Sequence, residues 1–319
     1  PPPRVRDADV VLAIGPRRGE MTTGAYTLLE APRPRQRLVH VHSGAEELGR
    51  VYAADLMLQS SMANAAKALE SLAAPVSLPW ADWTAAARAD RVANESTHAV
   101  APLDMAVVMK TVQRLAPDDT VYTNGAGNYS GWLHRFVRYP GLQHHGRTQL
   151  APTAGAMGYG VPAAGAAAPL VPHRTGADRA RRRGFLLAPP AAAGGGGGAR
   201  PAVAAALLYP HRTVVNVAGD GDFLMTGQEL ATATAHGARR LVSLVVDNGT
   251  LGTIRMHQER HFPHRVSAST LVNPDFAALA RAYGWHADTV ATTEAFEPAF
   301  AGAPPGGAPA LRGLRLPPR

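Results

Sequence analysis

The residues best suited to chemistry lie in two short turn sequences. Gly219-Asp220-Gly221 and Asp247-Asn248-Gly249 each follow an apolar run that is typical of a buried parallel strand. Because ligands bind at the carboxyl ends of such strands, we expect the two turns to meet at one edge of a sheet. The carboxylate of Asp220, the amide oxygen of Asn248 and a nearby carbonyl are hard ligands suited to Mg²⁺, which usually keeps its other positions for phosphate and water. Either turn alone is an ordinary turn sequence, but together they predict a magnesium and phosphate site in which the amides beside Gly221 cradle the phosphates.

These turns resemble the signature of thiamine diphosphate-dependent enzymes, in which Gly-Asp-Gly is followed one strand later by Asn-Asn. Two blocks, Gly155 to Ala164 and Gly219 to Ala231, are similar to blocks of acetolactate synthase large subunits, the first to their GTMGFGLPAA segment. Residues 7–72 resemble the second half of that family's central domain. The resemblance implies an α/β fold: a parallel-sheet, three-layer αβα diphosphate-binding domain preceded by part of a Rossmann-like central domain.

The resemblance also implies roles for single residues. Asp220 and Asn248 would bind Mg²⁺ through their side chains, and Thr250 through its backbone carbonyl. Met157 would support the bent form of thiamine diphosphate, although a methionine in isolation is more often a core residue. The residues implied to contact the cofactor are Asn128, Tyr129, Met157, Gly219, Gly221 and Asp222. The implied reaction is decarboxylation of a 2-keto acid such as pyruvate, followed by ligation to a second carbonyl compound.

Several positions depart from the acetolactate synthase pattern. Met21 replaces an arginine that binds the substrate carboxylate, and His257 replaces a tryptophan near the active-site entrance. His257 is therefore a candidate to contact the substrate, and the alternative is a solvated polar helix face. His42 and Gly44 replace aspartates expected near the flavin adenosine. These departures argue against strict acetolactate formation and make FAD the less supported candidate cofactor.

The family's catalytic glutamate comes from a separate N-terminal domain, which we expect this chain to lack. The cofactor in that family lies between subunits, so the resemblance implies a homodimer or tetramer. Two alternatives to an acetolactate synthase-like activity stay open. One is another thiamine diphosphate-dependent decarboxylase or acyl transferase, and the other is a catalytically inactive cofactor-binding fragment.

Composition narrows the remaining classes. The 319 residues contain no cysteine, which excludes disulfides, zinc–thiolate sites and cysteine nucleophiles. No apolar run approaches the roughly 20 residues that span a bilayer, so we expect a cytoplasmic protein without a membrane partner. The net charge of +8 invites a nucleic-acid partner, but only Lys67 and Lys110 among the 32 basic residues are lysine. Because no nucleic-acid module accompanies the charge, we predict no such partner.

Three regions follow from the pattern of apolar runs. Residues 1–75 are predicted to be the partial central domain, 76–101 a linker, and 102–319 the thiamine diphosphate-binding domain. Within the last, 166–175 nearly repeats 204–213, with eight of ten positions identical. The Arg- and Gly-rich sequence between the repeats predicts a disordered insertion at 171–208.

Helices and strands are predicted around these motifs. The first region shows strand patterns at 9–15 and 38–42 and a helical pattern at 61–72. In the last region, helical patterns cover 104–115 and 155–168. A capping box at Thr226-Gly227-Gln228-Glu229 predicts one further helix start, and Asn273-Pro274 another, with Asn273 as the N-cap.

Overall fold

The computed structural model describes residues 2–20, 22–73, 75–96, 102–138, 149–152, 155–158, 206, 211–302 and 307–317. The contact pattern divides the chain into two units, 1–96 and 97–319, with the boundary inside the predicted linker 76–101. Of the segments predicted above, 159–168 lies outside the described residues, as does 171–208 apart from Ala206.

The first unit is built on a small parallel sheet. Its strands are β1 (Val10–Ile14), β2 (Arg37–His42) and β3 (Leu56–Gln59), with β2 in the centre. Its helices are α1 (Pro2–Arg6), α2 (Met62–Glu70) and α3 (Ala81–Ala93). A small core of Ala13, Leu29, Leu38 and Tyr52 packs within the unit. The predicted strands and the helix after Ser61 are confirmed, whereas β3, which is exposed along its length, was not predicted.

The second unit is a six-stranded, wholly parallel sheet in the order β5-β4-β6-β7-β9-β8. Its strands are β4 (Val121–Asn124), β5 (Gln149–Leu150), β6 (Val214–Gly219), β7 (Leu241–Asp247), β8 (His286–Val290) and β9 (Ala310–Arg315). Its helices are α4 (Met105–Leu115), α5 (Ser130–Phe136), α6 (Asp220–Leu224), α7 (Glu229–Ala235), α8 (Gly252–His261), α9 (Phe276–Ala282) and α10 (Thr293–Ala301). The predicted parallel α/β class is confirmed.

Helices cover both faces of this sheet because successive residues of a strand point to opposite sides. In β6, Val214 and Ala218 pack into the core that holds Phe223 and Phe276. Val215 and Val217 pack into the other core, with residues of α4, α5 and α10. The sheet is therefore the middle of three layers, and β6 is buried along its whole length.

A buried polar ladder crosses the middle of the sheet. Thr123, Asn216 and Ser243 are register partners on β4, β6 and β7, and each is at most 1% exposed. The Thr123 hydroxyl donates to Asn216 Oδ1 at 3.1 Å, and Asn216 Nδ2 donates to Ser243 Oγ at 2.9 Å. Because a one-residue slip would leave these groups without partners, the ladder fixes the register of the three strands.

Two predicted helix caps are wrong, and tertiary hydrogen bonds explain both. Thr226 does not cap α7, because its hydroxyl donates to the Gly158 carbonyl at 3.2 Å. Asn273 does not cap α9; Asp275 does, by accepting from the amides of Ala277 and Ala278 at 2.9 and 3.0 Å. The predicted helix over 104–115 is confirmed as α4.

No helix in the described part of the chain is both long enough and apolar enough to cross a bilayer.

Candidate functional site

A cavity of about 240 Å³ lies beyond the carboxyl ends of β4, β6 and β7. Its wall contains every residue that the sequence predicted for the cofactor and the metal: Asn128, Tyr129, Met157, Gly219, Asp220, Gly221, Asp222, Asn248 and Thr250. These residues come from chain segments far apart in sequence, and the strand order of the sheet brings them together. Their chemical roles remain predictions.

Asp220 is the most tightly held acidic group of the cavity. It is 3% exposed, and its Oδ2 accepts from the amides of Asn248 and Gly249 at 3.2 and 2.8 Å and from Asn273 Nδ2 at 2.8 Å. Its Oδ1 accepts only from the Gly221 amide, at 2.8 Å, among the described donors. A carboxylate oxygen has two acceptor sites, so Oδ1 keeps capacity for a ligand.

The turn after β7 supplies two further oxygens. Asn248 Oδ1 accepts from the Thr250 amide at 3.1 Å, and the Thr250 carbonyl accepts from the Gly252 amide at 2.9 Å. Gly249 makes this tight turn with a φ of +66°, a region that glycine adopts without strain. One carboxylate, one amide oxygen and one carbonyl thus line the same cavity, and this donor set fits Mg²⁺.

Asp222 joins three segments of the cavity wall. Its Oδ2 accepts from the Tyr129 hydroxyl at 2.8 Å, and its Oδ1 accepts from the Gly158 amide. Burial raises the pKa of Asp222 to about 6, while hydrogen bonds from Gly158, Tyr129 and Ala126 act to lower it. Burial, together with the nearby carboxylate, raises the pKa of the Tyr129 hydroxyl, so it remains protonated and donates.

Glycines allow side chains of the cavity wall to pack close to its backbone. A Cβ on Gly221 would lie 2.5 Å from Leu251 Cδ2 and 3.2 Å from Leu271 Cδ1. A Cβ on Gly127 or Gly219 would lie 2.7 or 2.8 Å from the Tyr129 ring. A larger residue at any of these three positions would therefore displace a side chain of the wall.

Met157 lines the cavity and belongs to neither hydrophobic core of this unit. It is only partly buried, and its methyl carbon lies 3.7 Å from the position of a Cβ on Gly221. This placement agrees with a side chain that contacts a ligand and does not match the core alternative.

His257 is not part of the cavity wall. It is exposed on α8, where its ring stacks on that of His261 with centroids 6.3 Å apart. The first turn of the same helix does reach the cavity through Gly252, Thr253 and Ile254. Thr253 is a wall residue that was not predicted. Its hydroxyl accepts from the Asn128 amide at 3.0 Å, and no local sequence pattern indicates a contact between these two residues.

The positions linked to FAD lie in the first unit. The amide of Gly44 donates to His42 Nδ1 at 3.0 Å in the turn after β2. The His42 ring and the Gly44 backbone are therefore hydrogen-bonded to each other within this turn. Met21 lies outside the described residues.

Comparisons with known proteins agree with this architecture. Residues 173–311 match the family described as "Thiamine pyrophosphate enzyme, C-terminal TPP binding domain", and residues 3–70 match "Thiamine pyrophosphate enzyme, central domain". The chain is 28% identical over 88% of its length to an acetolactate synthase large subunit of Parasynechococcus marenigrum, covering 39% of that protein. It is 27% identical over 93% of its length to the acetolactate synthase isozyme 2 large subunit of Escherichia coli, covering 45% of that protein. The chain thus spans less than half the length of these relatives.

Proposed function

Because the chain belongs to the thiamine pyrophosphate enzyme family, we propose that its cavity binds thiamine diphosphate together with Mg²⁺. The observation that carries this proposal is the meeting of the Asp220, Asn248 and Thr250 oxygens in one cavity walled by glycines. Magnesium prefers such oxygen ligands and brings phosphate oxygens with it, so one cavity serves both groups.

In this proposal, each group of wall residues binds a different part of the cofactor. Asp220, Asn248 and the Thr250 carbonyl would hold the metal. The part of the wall around Gly221 and Asn128 would face the diphosphate. Met157 would contact the thiazolium ring and hold the cofactor bent. When bound, thiamine diphosphate would supply a nucleophilic carbon that adds to the keto group of a 2-keto acid, and a ring that takes up the electron pair of the carbon–carbon bond that breaks as carbon dioxide leaves.

Asp222 and Tyr129 have a different task in this proposal. The Tyr129 hydroxyl donates to one Asp222 oxygen and the Gly158 amide to the other, so the pair joins parts of the wall, and we assign the metal to Asp220. A wall held in this way keeps the reacting groups in a fixed geometry, which is a large part of what an enzyme contributes to rate.

The proposed reaction is the cleavage or formation of a carbon–carbon bond at a 2-keto acid such as pyruvate. Its support is the similarity to proteins named acetolactate synthase, of which this chain covers 39 to 45%. No glutamate lies on the described wall of the cavity. We therefore propose that the activating glutamate comes from a further domain of a second subunit, in a cytoplasmic homodimer or tetramer.

Simple decarboxylation or another acyl transfer is the second candidate. Position 257, where a tryptophan was expected near the entrance, is an exposed histidine that stacks on His261. An entrance without that large ring is less suited to hold a second keto acid. Incubation of the assembled enzyme with pyruvate separates the candidates, since acetolactate indicates ligation and acetaldehyde indicates decarboxylation.

The first test is calorimetric titration of thiamine diphosphate into the full chain, once with Mg²⁺ and once with EDTA. We expect binding only with Mg²⁺, and we expect Asp220→Ala to abolish it because the metal loses its one carboxylate ligand. Asp82→Ala is the matched control, since Asp82 is exposed on α3 in the first unit. Equal binding in EDTA, or by Asp220→Ala, would refute the proposed site.

A further inference from the structure

Asn273 connects the proposed metal ligand to the next acidic residue along the sheet edge. Its side-chain nitrogen, Nδ2, donates one hydrogen bond to Asp220 Oδ2, at 2.8 Å, and a second to Asp247 Oδ1, at 2.7 Å. Two carboxylates therefore lie within hydrogen-bond distance of a single nitrogen. The amide nitrogen between them offsets the repulsion of the two negative charges.

The orientation of this amide is determined by the carboxylates. Asn273 Oδ1 is buried and accepts no hydrogen bond from the described residues. A buried acceptor without a partner is destabilising. If the amide were reversed, Oδ1 would lie against the carboxylate oxygens of Asp220 and Asp247, which cannot donate a hydrogen bond to it. The arrangement therefore keeps Asn273 as a donor to Asp220 and Asp247.

The backbone before Asn273 is fastened to the turn that carries Asn248 and Thr250. The Leu251 amide donates to the Ser269 carbonyl, and the Leu271 amide donates to the Gly249 carbonyl, both at 2.8 Å. The Thr250 hydroxyl also donates to the Ser269 carbonyl, at 2.8 Å. We call residues 269–273 the strap. Because the strap pairs with the turn at several points, it sets the position of Asn273 relative to Asp220.

We propose that Asn273 is a positioning residue for the metal: the strap presents its amide so that the Asp220 carboxylate is held in the orientation that binds Mg²⁺. This inference rests on the proposed function. Groups that hydrogen-bond to metal ligands orient those ligands, and their loss typically lowers metal affinity about 10- to 100-fold. Magnesium is sensitive to such a loss because it demands near-octahedral geometry.

The test measures metal binding directly, with Mn²⁺ as the probe and thiamine diphosphate present throughout. The signal of free Mn²⁺ in electron paramagnetic resonance gives the dissociation constant without any turnover. For Asn273→Leu, which has the same branched side-chain shape and no donor, we expect affinity to fall about 10- to 100-fold. Asn273→Ser keeps one donor, so we expect an intermediate loss, and this variant serves where leucine prevents folding.

Asp275→Ala is the matched control, two residues further along. It removes the N-cap of α9 and so lowers stability, but it leaves both hydrogen bonds of Asn273 in place. We expect it to bind Mn²⁺ as the unaltered chain does. Asp247→Asn should also bind well, because its amide oxygen still accepts from Asn273 while Asp220 keeps its donor.

The outcomes separate this inference from the proposed function. Unaltered Mn²⁺ affinity in folded Asn273→Leu or Asn273→Ser would overturn the positioning role and leave the metal site standing. Equal losses of Mn²⁺ affinity in Asn273→Leu and Asp275→Ala would show that lowered stability causes the loss, and would also overturn the positioning role. Absence of Mn²⁺ binding by the unaltered chain would overturn both proposals together.

Discussion

At the scale of single residues, the cavity is organised by carboxylates with different tasks. Asp220 accepts from backbone amides on both sides and keeps one oxygen toward the cavity. Both oxygens of Asp222 instead accept hydrogen bonds from other parts of the cavity wall, and the residue is 2% exposed. The two residues are neighbours in one short motif, yet only their surroundings distinguish a ligand from a wall support.

The raised pKa of Asp222 gives a prediction about protons. The Tyr129 hydroxyl stabilises the charged carboxylate of Asp222. We therefore expect Tyr129→Phe to raise the Asp222 pKa further above 6, by roughly one pH unit. Carbon-13 carboxyl titration by nuclear magnetic resonance measures it. Asp275 is the internal reference, since amides at the start of α9 hold its pKa below the ordinary value.

The sign of the linked stability follows from the same pKa. Asp222 binds its proton more tightly in the folded chain than in the unfolded chain, whose reference value is 3.8. Its protonation therefore favours folding, and this contribution grows as the pH falls from 6 toward 4 and is lost above 6. An Asp222 pKa at or below 3.8, or one that falls in Tyr129→Phe, would contradict this account.

The roles of single residues could be predicted where the residue belongs to a local sequence motif. They could not be predicted where the role depends on a tertiary contact. Asp220 and Asn248 could be found because each follows an apolar run directly. Asn273 was predicted as a helix cap because Asn-Pro is a common start, and Asp275 satisfies the same rule two positions later. Its contacts with Asp220 and Asp247 join positions 53 and 26 residues away, which no local pattern reports.

At the scale of elements, register decides whether the site exists. The cavity needs the ends of β4, β6 and β7 at one height, and the ladder of Thr123, Asn216 and Ser243 sets that height from within the sheet. Strands with continuous apolar runs do not fix their own register strongly, since a shifted run remains apolar. A buried polar ladder supplies the missing specificity.

Substitution of the central ladder residue tests this role. Asn216→Ala leaves the buried hydroxyls of Thr123 and Ser243 without their shared partner, and we expect the free energy of unfolding to fall by about 2–4 kcal/mol. The triple variant Thr123→Val, Asn216→Leu and Ser243→Ala should lose less than the sum of its single changes, because it removes the groups that need partners. Denaturant unfolding measures both. Strict additivity would show that the three residues do not act together.

In the second unit, the strands found from sequence are those with nearly uniform burial. Strands β6 and β7 are almost wholly buried and have clear apolar runs. Strand β9 is also buried but contains Arg312, which is 1% exposed and donates to the carbonyls of Ala299 and Gly302 at 2.6 and 3.3 Å. Strand β8 alternates exposed and buried positions. Both were missed because a charge or a polar edge interrupts the apolar pattern.

At the scale of the whole molecule, the site belongs to one of two units. Every residue on the described wall of the cavity lies between 126 and 254, within the unit 97–319. The first unit carries its own sheet, on which Val10, Leu12 and Ile14 are 55, 51 and 41% exposed. The chain spans 39 to 45% of the first two relatives, so the whole enzyme of the proposal involves more than these two units.

Hydrogen exchange across the whole chain tests this division. With thiamine diphosphate and Mg²⁺, we expect slower amide exchange in 126–129, 219–222 and 248–252, since a bound ligand suppresses opening of the segments it contacts. We expect no change in β1, β2 or β3. EDTA is the control and should remove the protection. Protection of the first unit alone would be incompatible with the proposed site.

The order of the strands also determines when the site forms during folding. Strand β4 pairs with β6 across an interval of 89 residues, from Asn124 to Val214. Closing so long a loop carries an entropic penalty before any contact repays it, and parallel pairing of this kind folds slowly. The cavity comes into being only after that pairing is complete. A ligand therefore cannot assist assembly and instead retains the finished fold, so occupancy lengthens the lifetime of the native chain without hastening its formation.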